Sequence, residues 1–221
     1  MLRVAALVSG GGTNLQAIID AQAGGIIRDA KVELVISNVA GAYALERAEK
    51  AGIKNVLIRK KDFENSQQWE AHLAKTLREN KIDLIVLAGF LSILSEDFVK
   101  QFPNQIINVH PSLIPSFCGE GMYGLKVHEA ALSKGVKVTG ATVHYVNEVV
   151  DGGEIIAQKA VEVLRGDTPE KLQKRVMEKA EWVILPRAIQ TIAEDAALGY
   201  TIQNTTCMRR NPNATDAVHG R

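Results

Sequence analysis

Between Asp83 and Gly89 the chain reads Leu-Ile-Val-Leu-Ala, an apolar run with no polar alternation. A strand of this kind is covered on both faces, which happens when helices pack on either side of a parallel sheet. Runs at 4–8, 32–37 and 55–58 also read as strands, and helical stretches at 15–23, 43–51 and 66–80 follow them. Asn65 or Ser66 opens the third helix, and Gly52 closes the second. This beat predicts an α/β fold with a doubly wound, mostly parallel sheet of the Rossmann-like class. Ligands of such sheets gather outside the carboxyl ends of the strands, where segments 10–12, 89–94 and 108–115 fall.

The second half of the chain departs from the beat. Ile106, Ile107 and Val109 have strand character, and Pro111 and Pro115 must stop that strand near His110, because proline cannot donate to a ladder. A glycine-rich loop at 116–124, read as mobile and able to cover a site, precedes a helix over 125–134. Segment 137–146 alternates as a half-exposed strand, Asp151-Gly152-Gly153 is a turn, and 154–164 is another strand. The sheet is therefore expected to end in an antiparallel C-terminal addition. Thr168 and Pro169 open a long helix that should reach at least Thr191, with Pro186 as a kink or break. One domain over 1–202 and a polar extension over 203–221 account for the chain.

Composition narrows the classes. A formal charge of +1 provides no bulk attraction for nucleic acid, and no apolar run approaches a membrane span. With no secretory pattern, the protein is expected in the cytoplasm. Cys118 and Cys207 lack metal-type spacing, and His110, His128, His144 and Asp151 are irregularly spaced as ligands, so no metal is expected. No pattern fixes an oligomeric state.

Two segments carry chemistry. Ser9-Gly10-Gly11-Gly12-Thr13-Asn14 sits between a strand and a helix. Glycines let a ligand approach the backbone, and the helix start offers unpaired N–H groups and a positive dipole end, a combination that holds phosphate. The same turn could serve packing alone. Asn108 and His110, two apart on a strand, project from one face. An amide and an imidazole placed so can both donate to an oxygen that gains charge in a tetrahedral intermediate, or they can be satisfied structural groups. The apolar loop 89–94 suits either a flat organic ligand or the core.

The set Ser9-Gly10-Gly11-Gly12-Thr13-Asn14-Leu15, Leu87-Ala88-Gly89-Phe90-Leu91-Ser92-Ile93-Leu94, Asn108-Val109-His110-Pro111-Ser112-Leu113-Ile114-Pro115 and Asp151-Gly152-Gly153 closely resembles the phosphoribosylglycinamide formyltransferase family. The resemblance extends to about residue 200. It implies transfer of a formyl group from 10-formyltetrahydrofolate to the amine of glycinamide ribonucleotide in purine biosynthesis. By the same resemblance, Asn108, His110 and Asp151 are catalytic, and Asp151 is expected to favour the imidazolium of His110. Gly12, Thr13 and Asn14 would hold the substrate phosphate and Glu181 the glycinamide moiety. Leu87, Leu91, Ile93 and Leu94, with Val146, Asn147, Glu148, Val149 and Val150, would line the folate pocket. Ser92 departs from the arginine of several relatives, and Trp182 and Leu185 replace a familiar His and Tyr. Competing readings are a formyltetrahydrofolate deformylase, a methionyl-tRNA formyltransferase, which should carry a further RNA-binding domain, and a nucleotide-binding sensor without activity.

Overall fold

The apolar run after Asp83 becomes β4 (Leu84–Leu87), with all four residues buried in the middle of a seven-stranded sheet. The computed structural model describes residues 1–199; the expected extension at 203–221, with Cys207, lies outside them. Around β4 stand β1 (Leu2–Val8), β2 (Ala30–Ser37), β3 (Lys54–Leu57), β5 (Ile106–His110), β6 (Val138–Tyr145) and β7 (Ile155–Glu162). Their order is β3-β2-β1-β4-β5-β6-β7. The first five strands are parallel, and β6 and β7 join antiparallel to β5 and to each other. Strand order reverses between β1 and β4, which opens a crevice at their carboxyl ends.

Two apolar layers sandwich the sheet. On one face, α1 (Thr13–Ala23), α2 (Tyr43–Lys50), α5 (Leu125–Lys134), α6 (Pro169–Val176) and α7 (Trp182–Ala197) contribute to a cluster containing Leu15, Ile18, Ala44, Ala131, Leu172 and Ile189. On the other, α3 (Ser66–Glu79) and the short α4 (Glu96–Val99) bring Trp69, Leu73, Leu77 and Phe98 onto Leu7, Ile85 and Ile106. Asn65 caps α3 as expected, its side chain accepting the Gln68 N–H. The second layer covers Ile106 at the start of β5. Asn108 and His110, further along the same strand face, lie beyond it.

Two expectations fail. Strand β6 is buried along all but its ends rather than half exposed, because it lies between β5 and β7 and packs Ala141 and Val143 against the helical layer. The long helix does not break at Pro186, which lies inside α7. The interruption is instead a π turn over Met177–Glu181, directly before α7. A proline ring crowds the carbonyl four residues back, here that of Trp182, the first residue of α7, and the π turn ends directly before it.

Candidate active site

Strand β5 ends where proline forces it to, and its last residues face β6 in register: Asn108 opposite His144, His110 opposite Thr142. The His144 Nδ1–H donates to the Tyr145 carbonyl at 2.8 Å, so on a neutral ring Nε2 is the acceptor. It receives the Asn108 Nδ2–H at 3.2 Å. One histidine thus fixes the tilt of the Asn108 amide. On the buried His110 ring, Nε2–H donates to the Phe117 carbonyl at 2.9 Å, and Nδ1 lies 3.4 Å from Asp151 Oδ2.

Asp151 reaches this point by a fold-back. The chain leaves β6 at the amino end of β5, where the Val146 N–H donates to the Ile106 carbonyl, and then crosses the face left bare by α3 and α4. An Asn147 side-chain turn, accepting the Val149 N–H at 3.0 Å and donating to the Gly152 carbonyl at 3.3 Å, closes the loop. Gly153 is obligatory here, since a Cβ would lie 1.8 Å from the Tyr145 carbonyl oxygen. Asp151 itself takes a left-handed φ of 56°, which aspartate tolerates better than most residues. Its Oδ2 accepts the Gly119 N–H at 2.9 Å, and its Oδ1 lies 3.5 Å from His144 Nε2. The loop at 116–124 therefore lies against both His110 and Asp151.

Burial pushes the Asp151 carboxyl up, but the adjacent His144 ring, the hydrogen bond from the Gly119 N–H and the His110 ring hold it below its ordinary value. For His110, Asp151 acts in the expected direction but is outweighed. Burial lowers its pKa and outweighs the Phe117 carbonyl and Asp151, which raise it, while His144 lowers it further. Asp151 favours the imidazolium of this ring, and burial opposes it.

The glycine turn leads into α1 with Gly12 as the capping residue, at φ 71° and with no side-chain cap. The first turn of α1 contains no acidic residue, so its N–H groups and dipole are unopposed. Thr13 is the first helical residue and Asn14 the second. The Asn14 amide donates to Glu181 Oε2 at 2.8 Å, with both side chains buried, and Asn14 Oδ1 has no partner. Glu181 is the last residue of the π turn. Burial raises its pKa to about 7, with the Asn14 hydrogen bond pulling the other way.

The three glycines differ in what they do. A Cβ on Gly12 would lie 2.6 Å from the Ala44 Cβ of α2, whereas one on Gly10 or Gly11 meets nothing within 4 Å. Gly12 is needed for packing and for its left-handed backbone, and the other two leave the turn open. Gly12→Ala is therefore expected to destabilise the fold by about 2–4 kcal/mol, combining backbone strain and overpacking. Gly11→Ala should change stability by less than about 1 kcal/mol. Urea midpoints of the two variants check this, and equal midpoints would contradict it.

The apolar loops form a second feature. Leu91 and Ile93 are 66% and 69% exposed, and Val149 and Val150 are 64% and 43% exposed, so four large apolar side chains on two loops have no cover. Leu94 and Val146 are partly buried beneath them in one shared cluster. Asn147 and Glu148 complete the second loop. Leu87 is different: it is only 9% exposed and belongs to the core, so it backs the loops rather than lining a groove. Polar contacts hold the first loop, with Ser9 Oγ accepting the Leu91 N–H at 2.9 Å and donating to Asn38 Oδ1 at 2.7 Å. Asn38 Nδ2 in turn donates to Ser92 Oγ at 2.8 Å, giving this serine a contact within the rim.

Sequence reasoning missed His144 as a partner of Asn108; the available signal was its position on a strand expected to add to the sheet antiparallel. Asn38 was missed as well, and it stands at the carboxyl end of β2 with no motif around it. Among the described residues no group of three or more His, Cys, Asp or Glu side chains is arranged to hold a metal ion, and no helix is long and apolar enough to cross a membrane.

An amide and an imidazole N–H beside a carboxylate, with an open glycine turn across the switch point, define a site for acyl-type transfer on a doubly wound sheet. The sequence profile of the formyl transferase family matches residues 2–189, and the chain belongs to that family. It is 41% identical over 194 residues to a phosphoribosylglycinamide formyltransferase of Haemophilus influenzae, covering 88% of each chain. It is also 46% identical over 195 residues to the trifunctional purine biosynthetic protein adenosine-3 of Homo sapiens, covering 86% of this chain and 18% of that protein. The chain thus spans less than a fifth of that relative. The crystal structure of glycinamide ribonucleotide transformylase 1 from Symbiobacterium toebii superposes with a TM-score of 0.82 at 43% identity, covering 88% of both chains.

Proposed function

We propose that this chain transfers the formyl group of 10-formyltetrahydrofolate to the amine of glycinamide ribonucleotide, a step of purine biosynthesis. Residues 1–202 would form the catalytic domain, acting on small molecules in the cytoplasm. The observation that carries the reading is the pairing of two chemistries across the strand-order switch. An anion-ready glycine turn follows β1, and the Asn108, His110 and Asp151 group ends β5. Two strand spacings, about 10 Å, separate β1 from β5, a span that suits a ligand with phosphate at one end and a nucleophilic amine at the other. The exposed Leu91, Ile93, Val149 and Val150 suit the flat, apolar body of a folate.

On this reading the turn N–H groups at Gly12, Thr13 and Asn14 hold the phosphate, and Glu181 with Asn14 meets the glycinamide part. Attack of the amine on the formyl carbon makes an intermediate with O⁻ and N⁺. The Asn108 amide and the His110 Nε2–H, released from the Phe117 carbonyl, donate to the oxyanion. Asp151 stabilises the ring as negative charge grows beside it. Through a bound water it helps move the proton from the attacking nitrogen to the folate nitrogen, whose bond to the formyl carbon then breaks. A transferase consumes its donor only with an acceptor present. Purified protein is expected to release tetrahydrofolate from 10-formyltetrahydrofolate when glycinamide ribonucleotide is added and not before. Equal release without the ribonucleotide would instead support the deformylase reading.

A further inference from the structure

The glycine turn after β1 keeps its carbonyl groups away from any ligand, and α2 is what holds the first two of them. The Ala44 N–H donates to the Gly10 carbonyl at 3.1 Å, and Arg47 Nε–H donates to the Gly11 carbonyl at 2.8 Å. The Gly12 carbonyl accepts the Gln16 N–H at 2.9 Å within α1. All three carbonyl oxygens, the dipole ends that repel an anion, are therefore occupied by donors of the protein. A peptide group whose carbonyl is held in one direction presents its N–H in the other, which is how a turn becomes an anion cradle.

Two of these three contacts come from backbone N–H groups. The third depends on one side chain. Arg47 is fixed on several sides: a terminal N–H donates to Gln16 Oε1 at 2.9 Å, and its guanidinium carbon lies 4.9 Å from the centre of the Tyr43 ring. Its Cδ lies 3.4 Å from where a Gly12 side chain would begin. Every ion pair of the described residues leaves Arg47 without a carboxylate, so its charge is not neutralised locally. It reads in the sequence as one more charged residue on an amphipathic helix.

We infer that Arg47 is a positioning residue for the ribonucleotide phosphate: its bond to the Gly11 carbonyl keeps the turn's N–H groups facing the ligand, and its charge strengthens the field there. The identity of the ligand rests on the proposed function. The bond to the Gly11 carbonyl is charge-assisted, and loss of such a bond corresponds to about tenfold or more in affinity.

The test uses the intact protein in three forms: wild type, Arg47→Met, which keeps the packing stem, and Arg47→Lys, which keeps the charge without the planar fork. Arg47→Met is expected to raise the KM for glycinamide ribonucleotide about tenfold, with kcat and the folate KM changed less than about twofold. The inhibition constant of inorganic phosphate, competing with the ribonucleotide, should rise in parallel. Arg47→Lys should recover part of both losses. An unchanged ribonucleotide KM and phosphate constant in Arg47→Met would overturn the inference. So would equal rises in both KM values together with a lowered Tm, which would mean that Arg47 only supports the fold. Calorimetry with inorganic phosphate separates this inference from the reading beneath it. A wild type that binds phosphate yet transfers no formyl group overturns the proposed function, while loss of that phosphate binding in Arg47→Met still supports the role of Arg47.

Discussion

Asp151→Asn is expected to lower the rate of formyl transfer by on the order of 10²–10³ while leaving the affinity for ribonucleotide nearly unchanged. The substitution is almost isosteric, and the remaining amide oxygen can still accept the Gly119 N–H, so the fold-back turn should survive. What disappears is the negative charge 3.4 Å from His110 Nδ1 and 3.5 Å from His144 Nε2. Burial already disfavours the imidazolium at His110, so removing that charge leaves the ring a weaker donor to the developing oxyanion. Asn108→Ala removes the other donor and, with it, the partner of His144 Nε2; a similar loss is expected. Because Asp151 acts largely through the ring, His110→Ala combined with Asp151→Asn should cost much less than the product of the two single losses. Fully multiplicative single-turnover losses would show that the two groups work independently.

Glu181→Gln is expected to act in opposite directions on stability and on binding. The carboxyl is buried, and its pKa stands at about 7 against an ordinary 4.5, so the folded protein holds this proton more tightly than the unfolded chain does. The resulting stability is fully present below the ordinary value and is lost as pH rises through about 7. At about 1.4 kcal/mol per unit the loss is on the order of 3 kcal/mol by pH 8. Glutamine keeps a hydrogen-bonding group beside Asn14 but carries no charge to bury. Glu181→Gln should therefore match the wild type near pH 4 and exceed it in Tm by several degrees near pH 8. At pH 8 it should also bind glycinamide ribonucleotide about tenfold more weakly, since a carboxylate that meets the substrate has been removed. Parallel Tm profiles for the two proteins would show that burial does not raise the Glu181 pKa.

Much of the fold could be read from the sequence because each element is signalled locally. The unbroken apolar run of β4, the caps at Asn65 and Thr168 and the prolines after His110 each dictate structure over a few residues, and the structure follows them. The pairing of Asn108 with His110 was legible for the same reason, as a period-2 consequence of one strand. Long-range balances were not. Asp151 comes to His110 through a turn that doubles back over a bare sheet face, a path that no spacing rule encodes, and only family resemblance linked the two. The protonation state of His110 depends on how deeply the ring is buried relative to how close the carboxylate comes. Leu87 is placed in the folate pocket by the resemblance alone, yet it lies within the core because α3 and α4 cover that part of the sheet. Pro186 marks a disturbance of the helix but does not say on which turn the backbone will yield.

The most direct test is single-turnover transfer of a labelled formyl group by His110→Ala, paired with calorimetric affinity for glycinamide ribonucleotide. The account predicts that label reaches the ribonucleotide amine at least about 10²-fold more slowly than with the wild type, at unchanged ribonucleotide affinity. Transfer by His110→Ala at the wild-type rate would contradict it.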